Sequence, residues 1–146
     1  MQGGRAEILI SGDRHPVNNF SLTPDGKELV VFMPSQGNVA NQHEFDFFSI
    51  ETGQTTRRIP ARPNAARPMI TPDGQNIAFY IHERGVDNLW LQPIAGGSPI
   101  RLTDFHLVRS TSQAISTYAW SPNGKRLGVA RRLSKGDVVL LQDQNK

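Results

Sequence analysis

Short apolar runs rich in β-branched and aromatic residues recur along the 146-residue chain, and turn-forming residues separate them. The clearest runs are residues 28–32, 76–81 and 126–130. Val, Ile, Phe and Tyr favour a pleated backbone, and bounded runs of this kind are typical of β-strands. The 13 Gly and 10 Pro residues agree with this interpretation, because both concentrate in turns. The pattern therefore predicts an all-β chain.

The same turn motif precedes each of these runs. It consists of a large apolar residue, Thr or Ser, Pro, Asp or Asn, and Gly, with Leu or Ile three residues after the Gly. Pro restricts φ to about −65°, and Gly readily adopts the positive φ that a tight turn needs. The three copies occur at intervals of 48 and 50 residues: Pro24-Asp25-Gly26, Pro72-Asp73-Gly74 and Pro122-Asn123-Gly124.

Each repeat contains strand-forming segments for a four-stranded antiparallel meander. The apolar runs are the second strands, and the first strands are predicted at 19–23, 68–71 and 117–121. Third strands are predicted at 44–50, 88–94 and 138–142, and fourth strands at 55–59 and 100–103. A period of about 40–50 residues with four strands per repeat is typical of β-propeller blades. We therefore predict an all-β propeller.

The repeat resembles the blades of TolB-like β-propellers. The second repeat shows this best, in Thr71-Pro72-Asp73-Gly74, Asn88-Leu89-Trp90-Leu91, Gly96-Gly97 and Ile100-Arg101-Leu102-Thr103. The first repeat departs at its third strand, where Phe45-Asp46-Phe47-Phe48 replaces Leu-Trp, and the third has Asn123 in place of Asp. The resemblance implies the propeller fold. It implies less about function, because such repeats also accompany peptidase domains and occur in bacterial sensors and kinases.

We treat residues 1–146 as one domain with blades around 18–59, 66–103 and 117–142. Segment 5–11 aligns with the fourth-strand position and is expected to complete the last blade. Propellers typically have four to eight blades, so three blades do not close a ring. One alternative is a six-bladed homodimer, in which the segment 5–11 of each chain completes the last blade of the other. The other is that the chain is a piece of a longer propeller.

Charge and composition argue against several classes of function. The 16 basic and 13 acidic residues give a net charge of +3, but the basic residues are scattered, so nucleic acid is not an expected partner. Without Cys the chain has no disulfide, thiolate or Cys-ligated zinc. It also shows no apolar run of membrane-spanning length and no signal-peptide core, and we expect a soluble chain.

Catalytic motifs are missing from the sequence. Gly-x-Ser-x-Gly, the phosphate-binding loop and the dinucleotide-binding loop do not occur. His43-Glu44 and His82-Glu83 begin like a zinc-peptidase motif, but Phe47 and Val86 stand where its second His is required. We therefore predict no enzymatic activity, no cofactor and no metal site.

Binding on a propeller usually resides in the loops at one face. On this loop face, loops 11–18, 60–67 and 104–116 join fourth to first strands, and loops 33–42, 82–87 and 131–136 join second to third strands. Loops 104–116 and 33–42 are longer than their equivalents, and insertions on one face are typical of binding sites. The candidate partner-binding residues are Arg14, His15, Arg62, Asn64, Arg67, Arg109 and Gln113.

Two interpretations of the Arg residues on the loop face stay open. Arg62, Arg67 and Arg109 form an anion-binding site, or such side chains brace loops by donating to backbone carbonyls. The predicted function is a non-catalytic scaffold that binds a protein or peptide. The alternative is an accessory propeller of a larger peptidase, hydrolase or bacterial sensor kinase. The family resemblance points to a periplasmic or cytoplasmic bacterial protein and does not decide between them.

Overall fold

The computed structural model describes residues 19–34, 42–107 and 112–134. Within these ranges the regular structure consists of strands, and no helix is present. The strands in chain order are β1 (Phe20–Leu22), β2 (Glu28–Pro34), β3 (His43–Ser49), β4 (Thr55–Ala61), β5 (Ala65–Ile70), β6 (Asn76–Glu83), β7 (Val86–Pro93), β8 (Ile100–Arg101), β9 (Ser112–Trp120) and β10 (Leu127–Ser134).

The first repeat forms a complete antiparallel meander, blade one, with the strand order β1-β2-β3-β4. Its register places Val30 opposite Phe47 and Phe32 opposite Phe45, and Phe45 lies opposite Ile59 on the next strand. Side chains that are paired across strands share a face of the sheet. One face of blade one is therefore a continuous apolar surface.

The second sheet continues from the second repeat into the third, with the order β10-β9-β7-β6-β5 and β8 beside β7. Strands β5 to β8 form blade two, and the β9–β10 hairpin belongs to the third repeat. Strands β7 and β9 run parallel and pair at Val86 and Gln113. The Gln113 N–H also donates to the Gly85 carbonyl at 2.9 Å. The predicted strands at 5–11 and 138–142 lie outside the described residues.

The three turn motifs have the same hydrogen-bond network. In blade two, the Thr71 hydroxyl donates to Asp73 Oδ1 at 2.5 Å, and the same oxygen accepts the Gln75 N–H at 3.0 Å. Gly74 has φ of +71°, the left-handed conformation that the motif predicts for its Gly. In the third repeat Asn123 Oδ1 accepts the equivalent bonds, so the exchange of Asp for Asn leaves the turn intact.

Each blade packs its apolar face on the next. The core between blades one and two consists of Val30, Phe45, Phe47, Ile59, Ala65, Ile70, Ile77, Phe79 and Ile81. The core between blade two and the third repeat is smaller and contains Ala78, Leu89, Ile115 and Tyr118. Trp90 and Trp120 pack at the margins of these cores. The strand aromatics therefore serve packing between blades.

The outward face of blade one carries exposed apolar side chains on β1, beside an ion-pair cluster of Glu44, Asp46 and Arg58. Ile70 lies in the core between blades one and two, and Trp120 at the equivalent repeat position packs against the next core. Their counterpart in blade one is Leu22, which is 52% exposed, and its neighbour Phe20 is 62% exposed. Leu22 therefore occupies a repeat position that packs against the preceding blade in the second and third repeats. In blade one the same position is exposed.

Several strands at the loop face extend further than the sequence predicts, whereas β1 and β8 are shorter than predicted. Strand β5 begins at Ala65 and not at 68, and β9 begins at Ser112 and not at 117, so parts of the predicted loops 60–67 and 104–116 are strand. Likewise, β6 and β7 pair out to Glu83 and Val86, which leaves two residues of the predicted loop 82–87. Small and polar residues dominate these strand ends and give little strand signal, because backbone pairing does not depend on a large apolar side chain.

Candidate partner-binding face

Two tight turns lie at the same end of blade two, on the loop face. Strands β4 and β5 are joined by residues 62–64, where the Ala65 N–H donates to the Arg62 carbonyl at 3.3 Å and Asn64 has φ of +61°. Strands β6 and β7 are joined by Arg84 and Gly85, with φ of +52° and +79°. Positive φ at both central residues defines the hairpin turn that matches strand twist. Asn64 and Arg84 are thereby exposed at this end.

Arg62 is held by neighbours within the chain. Its Nη2 lies 3.3 Å from Glu83 Oε1, and its guanidinium lies 4.3 Å from the centre of the Trp90 ring. A guanidinium over an indole face is attracted by the ring quadrupole. Arg62 therefore fastens the β4–β5 turn to the end of β6 and to the face of β7.

Arg67 braces the backbone of the third repeat. It has φ of +52° and lies where the β5–β6 register shifts. Its Nη1 donates to the Ser116 carbonyl at 2.5 Å, and the Arg67 carbonyl accepts a hydrogen bond from the Tyr118 hydroxyl. Burial raises the pKa of Tyr118 well above its usual value, so the phenol stays protonated and keeps donating. Of the two interpretations of the loop-face arginines, the geometry of Arg67 fits the second, in which the side chain braces the backbone by donating to a carbonyl.

The first strands of the three repeats converge beside Arg67. A small cavity of about 150 Å³ lies between them. Asn19, Arg67 and Thr117 occupy equivalent repeat positions, and all three line this cavity. Arg67 is the charged member of the set, its Nη1 already donates to the Ser116 carbonyl, and Phe20, Pro68 and Met69 add apolar lining.

Gln113 is buried and supports the loop face from inside the protein. The residue is 3% exposed, and its Nε2 donates to the His106 carbonyl at 2.8 Å. Burial leaves little of the Gln113 side chain accessible to a partner, and its amide nitrogen already donates inside the protein. Gln113 ties segment 103–107 to the start of β9.

A buried carboxylate joins β7 to β9 at the same place. Asp87 is 4% exposed, and its Oδ2 accepts the Ile115 N–H at 2.6 Å. Its Oδ1 lies 2.6 Å from Nδ1 of His82, whose side chain is 53% exposed. Asp87 therefore satisfies a backbone donor of the third repeat and orients the His82 ring.

A second buried amide fixes the segment after β8. Asn88 Oδ1 accepts the Phe105 N–H at 2.7 Å and the Thr103 hydroxyl at 3.0 Å, and its Nδ2 donates to the Phe105 carbonyl at 3.0 Å. A buried amide with its donors and acceptors engaged holds a loop in one conformation. Segment 103–107 is therefore held in a fixed conformation although it contains no strand.

These supports enclose a cleft of about 800 Å³ at the loop face. We call it the blade-two cleft. It is lined by Glu83, Arg84, Val86, Asn88, Arg101, Asp104, Phe105, His106 and Leu107. The lining thus combines charged side chains with three apolar ones, and it is more polar than a typical small-molecule pocket.

The charges around the blade-two cleft do not balance locally. Glu83 pairs with Arg62, and Asp104 Oδ1 lies 2.9 Å from Arg101 Nη2. Within the described part of the chain, Arg84 has no ion-pair partner. Arg131 stacks over the Phe105 ring at 3.7 Å, which adds a further cation to the margin. The cleft therefore presents surplus positive charge beside apolar surface.

The structure brings only some of the predicted site residues together. Arg62 and Asn64 share one turn, Arg67 lies in β5 beside the third repeat, and Gln113 is internal. Arg14, His15 and Arg109 lie outside the described residues. The sequence places Arg84 and Asp87 on the loop face, but neither they nor Asn88 are among its candidate partner-binding residues. The Arg84-Gly85 pair between two apolar strands was an available hairpin signal, whereas the buried roles of Asp87 and Asn88 depend on contacts across repeats.

The described residues contain neither a metal-binding cluster nor a membrane-spanning helix. In ranges 19–34, 42–107 and 112–134, no group of three or more His, Cys, Asp or Glu side chains is placed to hold a metal ion. The same ranges contain no helix with the length and apolarity needed to cross a membrane.

Four-stranded antiparallel meanders that pack face to face are the blades of a β-propeller. Here the same turn motif connects the first and second strands of each repeat. The chain is similar in sequence to TolB, which confirms the resemblance that its repeats indicate. It is 28% identical over 103 residues to the Tol-Pal system protein TolB of Anaeromyxobacter dehalogenans strain 2CP-C. It is equally identical, over the same length, to TolB of Anaeromyxobacter sp. strain K. In both cases the match covers 70% of this chain and 22% of the relative.

Solved structures agree on the fold. TolB from Acinetobacter baumannii superposes with a TM-score of 0.63 at 23% identity, over 90% of this chain and 30% of that one. Hydrazine synthase from Kuenenia stuttgartiensis superposes with a TM-score of 0.57 at 23% identity, over 80% of this chain and 37% of that one. The chain thus spans only a minor part of each relative. No protein-family model matches it.

Proposed function

We propose that the chain is a non-catalytic, TolB-like propeller module that binds a protein or peptide at its loop face. The observation that carries this proposal is the blade-two cleft, whose walls are fixed by the buried side chains of Asn88 and Gln113. A site that is already ordered loses less conformational entropy when a partner binds. The curated relatives are named as proteins of the Tol-Pal system, so a protein of such a system is the proposed partner.

Within this proposal the predicted residues take different roles. Asn64 is exposed and is proposed to bond a partner directly. Arg62 is proposed to contact the partner through its exposed edge while Glu83 and Trp90 hold its orientation. Arg67 and Gln113 are proposed to support the face from inside. Arg14, His15 and Arg109 remain predicted contacts.

Titration calorimetry of the full chain against purified Tol-Pal system proteins tests the proposal. We expect saturable binding that weakens about tenfold in Arg62→Ala, in line with the loss of one charge-assisted contact. Arg126→Ala is the matched control, because Arg126 is an exposed arginine beside the turn motif of the third repeat, at the far end of the strands. The absence of binding to every such protein, or an equal loss in both variants, contradicts the proposal.

We further propose that two chains associate through the outward face of blade one, as expected for a six-bladed ring. The support is the exposure of Phe20 and Leu22, at positions whose counterparts Tyr118 and Trp120 pack in the second core. Burial of two large apolar side chains contributes about 1.5–3 kcal/mol each. A second copy offers repeats of the same kind for this face to pack on.

A further inference from the structure

We propose that the blade-two cleft selects an acidic peptide segment in which a carboxylate side chain lies next to a large apolar one. This inference rests on the proposed function and specifies its partner. It follows from three features of the cleft: a surplus of positive charge, an adjacent apolar surface, and a backbone that is already ordered. Each feature is carried by different residues.

The surplus charge comes from Arg84 and Arg131. The two acidic residues of the lining, Glu83 and Asp104, are each engaged by an arginine. Arg84 stands on a two-residue turn with its side chain exposed and without an ion-pair partner among the described residues. A planar guanidinium presents paired N–H donors that match a carboxylate. The charge therefore favours a carboxylate over an amide or an ammonium group.

The accessible apolar surface comes from Phe105 and Leu107, whereas Val86, also in the lining, is only 5% exposed. Leu107 is 48% exposed, and its side chain approaches Gly85, where an added Cβ would lie 3.4 Å from Leu107 Cδ2. Phe105 is covered on one side by the Arg131 guanidinium. A ligand with a carboxylate alone would leave this surface in water, whereas a neighbouring apolar side chain would bury it.

The order of the cleft limits the cost of binding. The Phe105 backbone is held at both its N–H and its carbonyl by Asn88, and the His106 carbonyl is held by Gln113. Arg101 is fixed by Asp104 and by its own donation to the Thr103 carbonyl at 2.9 Å. The partner therefore meets a formed site and does not need to organise it.

Fluorescence anisotropy with the full chain tests the inference. The probe is a labelled five-residue peptide, Asp-Phe-Asp-Leu-Asp, and its isostere Asn-Phe-Asn-Leu-Asn is the comparison ligand. We expect the acidic peptide to bind at least tenfold more tightly, and its affinity to fall as NaCl is raised from low to high concentration. Equal affinity for the two peptides overturns the inference.

Two variants locate the site. Arg84→Gln removes the charge and keeps a long side chain at the strained position, and we expect about tenfold weaker binding of the acidic peptide with unchanged binding of the isostere. Arg126→Gln is the matched control and should bind like the parent. Thermal unfolding midpoints confirm that both variants fold. An equal loss of affinity in the two variants would show that the attraction depends on the net charge of the chain. That result would overturn the assignment of the peptide site to the blade-two cleft.

The inference and the proposed function fail in different ways. If Arg84→Gln leaves the affinity for a Tol-Pal system protein unchanged, the loop face still binds a partner and only the cleft specificity is wrong. If the parent chain binds neither the peptide nor any of these proteins, the proposed function itself is wrong.

Discussion

At the scale of single residues, the turn motif shows why Asp and Asn exchange freely at its fourth position. Only one side-chain oxygen is used, since Asp73 Oδ1 accepts both the Thr71 hydroxyl and the Gln75 N–H. Asn123 supplies the same oxygen to Ser121 and Lys125. The geometry of the acceptor, and not its charge, is what the turn requires.

Substitutions at Asp73 should separate acceptor from charge. Asp73→Asn keeps the acceptor, and the free energy of unfolding at pH 7 should change by less than about 0.5 kcal/mol. Asp73→Ala removes both hydrogen bonds and should cost about 1 kcal/mol. Urea titration followed by circular dichroism measures both. Equal destabilisation by the two variants would contradict the assigned role of the Asp73 oxygen.

The same carboxylates should make the fold sensitive to acid. The hydroxyls of Thr23 and Thr71 hold the pKa values of Asp25 and Asp73 below 3.8, with help from the backbone N–H of Lys27 and Gln75. A lowered folded-state pKa contributes stability above the unfolded value, and that contribution disappears as the pH falls through the folded value. Asp73→Asn should therefore lose less stability than the parent below about pH 4, and this difference should be no larger than the small deficit of the variant at pH 7. Urea midpoints measured from pH 6 to pH 3 check this.

Asp46 should behave in the opposite sense. Burial raises its pKa, against the opposing effect of Arg58, and its Oδ1 has no hydrogen-bond partner. A raised folded-state pKa penalises the charged native form, and the penalty is relieved as the pH falls. Asp46→Asn should therefore increase stability at pH 7 by up to about 1 kcal/mol, and the gain should vanish near pH 4. A loss of stability at pH 7 in urea titration would show that the Arg58 pair outweighs burial.

At the scale of strands and turns, the sequence predicts the elements better than their ends. The Pro-Asp-Gly spacing locates the turns and the second strands, because it encodes backbone angles directly. The ends of β5, β6 and β9 were missed, because their polar residues pair through the backbone and not through an apolar side chain. The blade-two cleft was missed for a related reason, since Asn88 and Gln113 act across the chain on carbonyls that carry no sequence signal.

Two glycines should respond oppositely to the same substitution. Gly74 has φ of +71°, and an added Cβ would meet only Pro24 at 3.8 Å, so the cost of Gly74→Ala is conformational and about 1–2 kcal/mol. Gly128 lies within β10 and has open space near the Ala119 carbonyl, so Gly128→Ala should stabilise by about 0.5–1 kcal/mol. Thermal unfolding of both variants gives the comparison. A Gly74→Ala variant as stable as the parent would contradict the strain assigned to this turn.

At the scale of the whole molecule, the repeat explains the stacking of one blade on the next. Pro24 lies 3.8 Å from the Cβ position of Gly74, and Pro72 lies equally far from that of Gly124. The turn of each repeat therefore packs against the turn of the next repeat. This regularity is why a fold of this size could be predicted from spacing, whereas the number of chains in a ring could not.

Association through blade one should be abolished by a charge on its outward face. Light scattering behind a sizing column should give about twice the 16.2 kDa chain mass for the parent, and the chain mass for Phe20→Lys. Ile100→Lys is the matched control, because Ile100 is 63% exposed on β8 of blade two. A monomeric parent, or a dimer that survives Phe20→Lys, would contradict the proposed association.

The parallel pairing of β7 with β9 has a consequence for how the chain opens. In the described part of the chain, blade one contacts blade two through side-chain packing and the hydrogen bond from the Ile70 N–H to Ser21 Oγ. Blade two and the third repeat share backbone pairing as well, including the bond from the Gln113 N–H to the Gly85 carbonyl. Amide hydrogens in β6, β7 and β9 should therefore exchange with deuterium together, as one cooperative unit, and those of β2 and β3 separately. The boundary between cooperative unfolding units then falls after the first blade, and not between every pair of repeats.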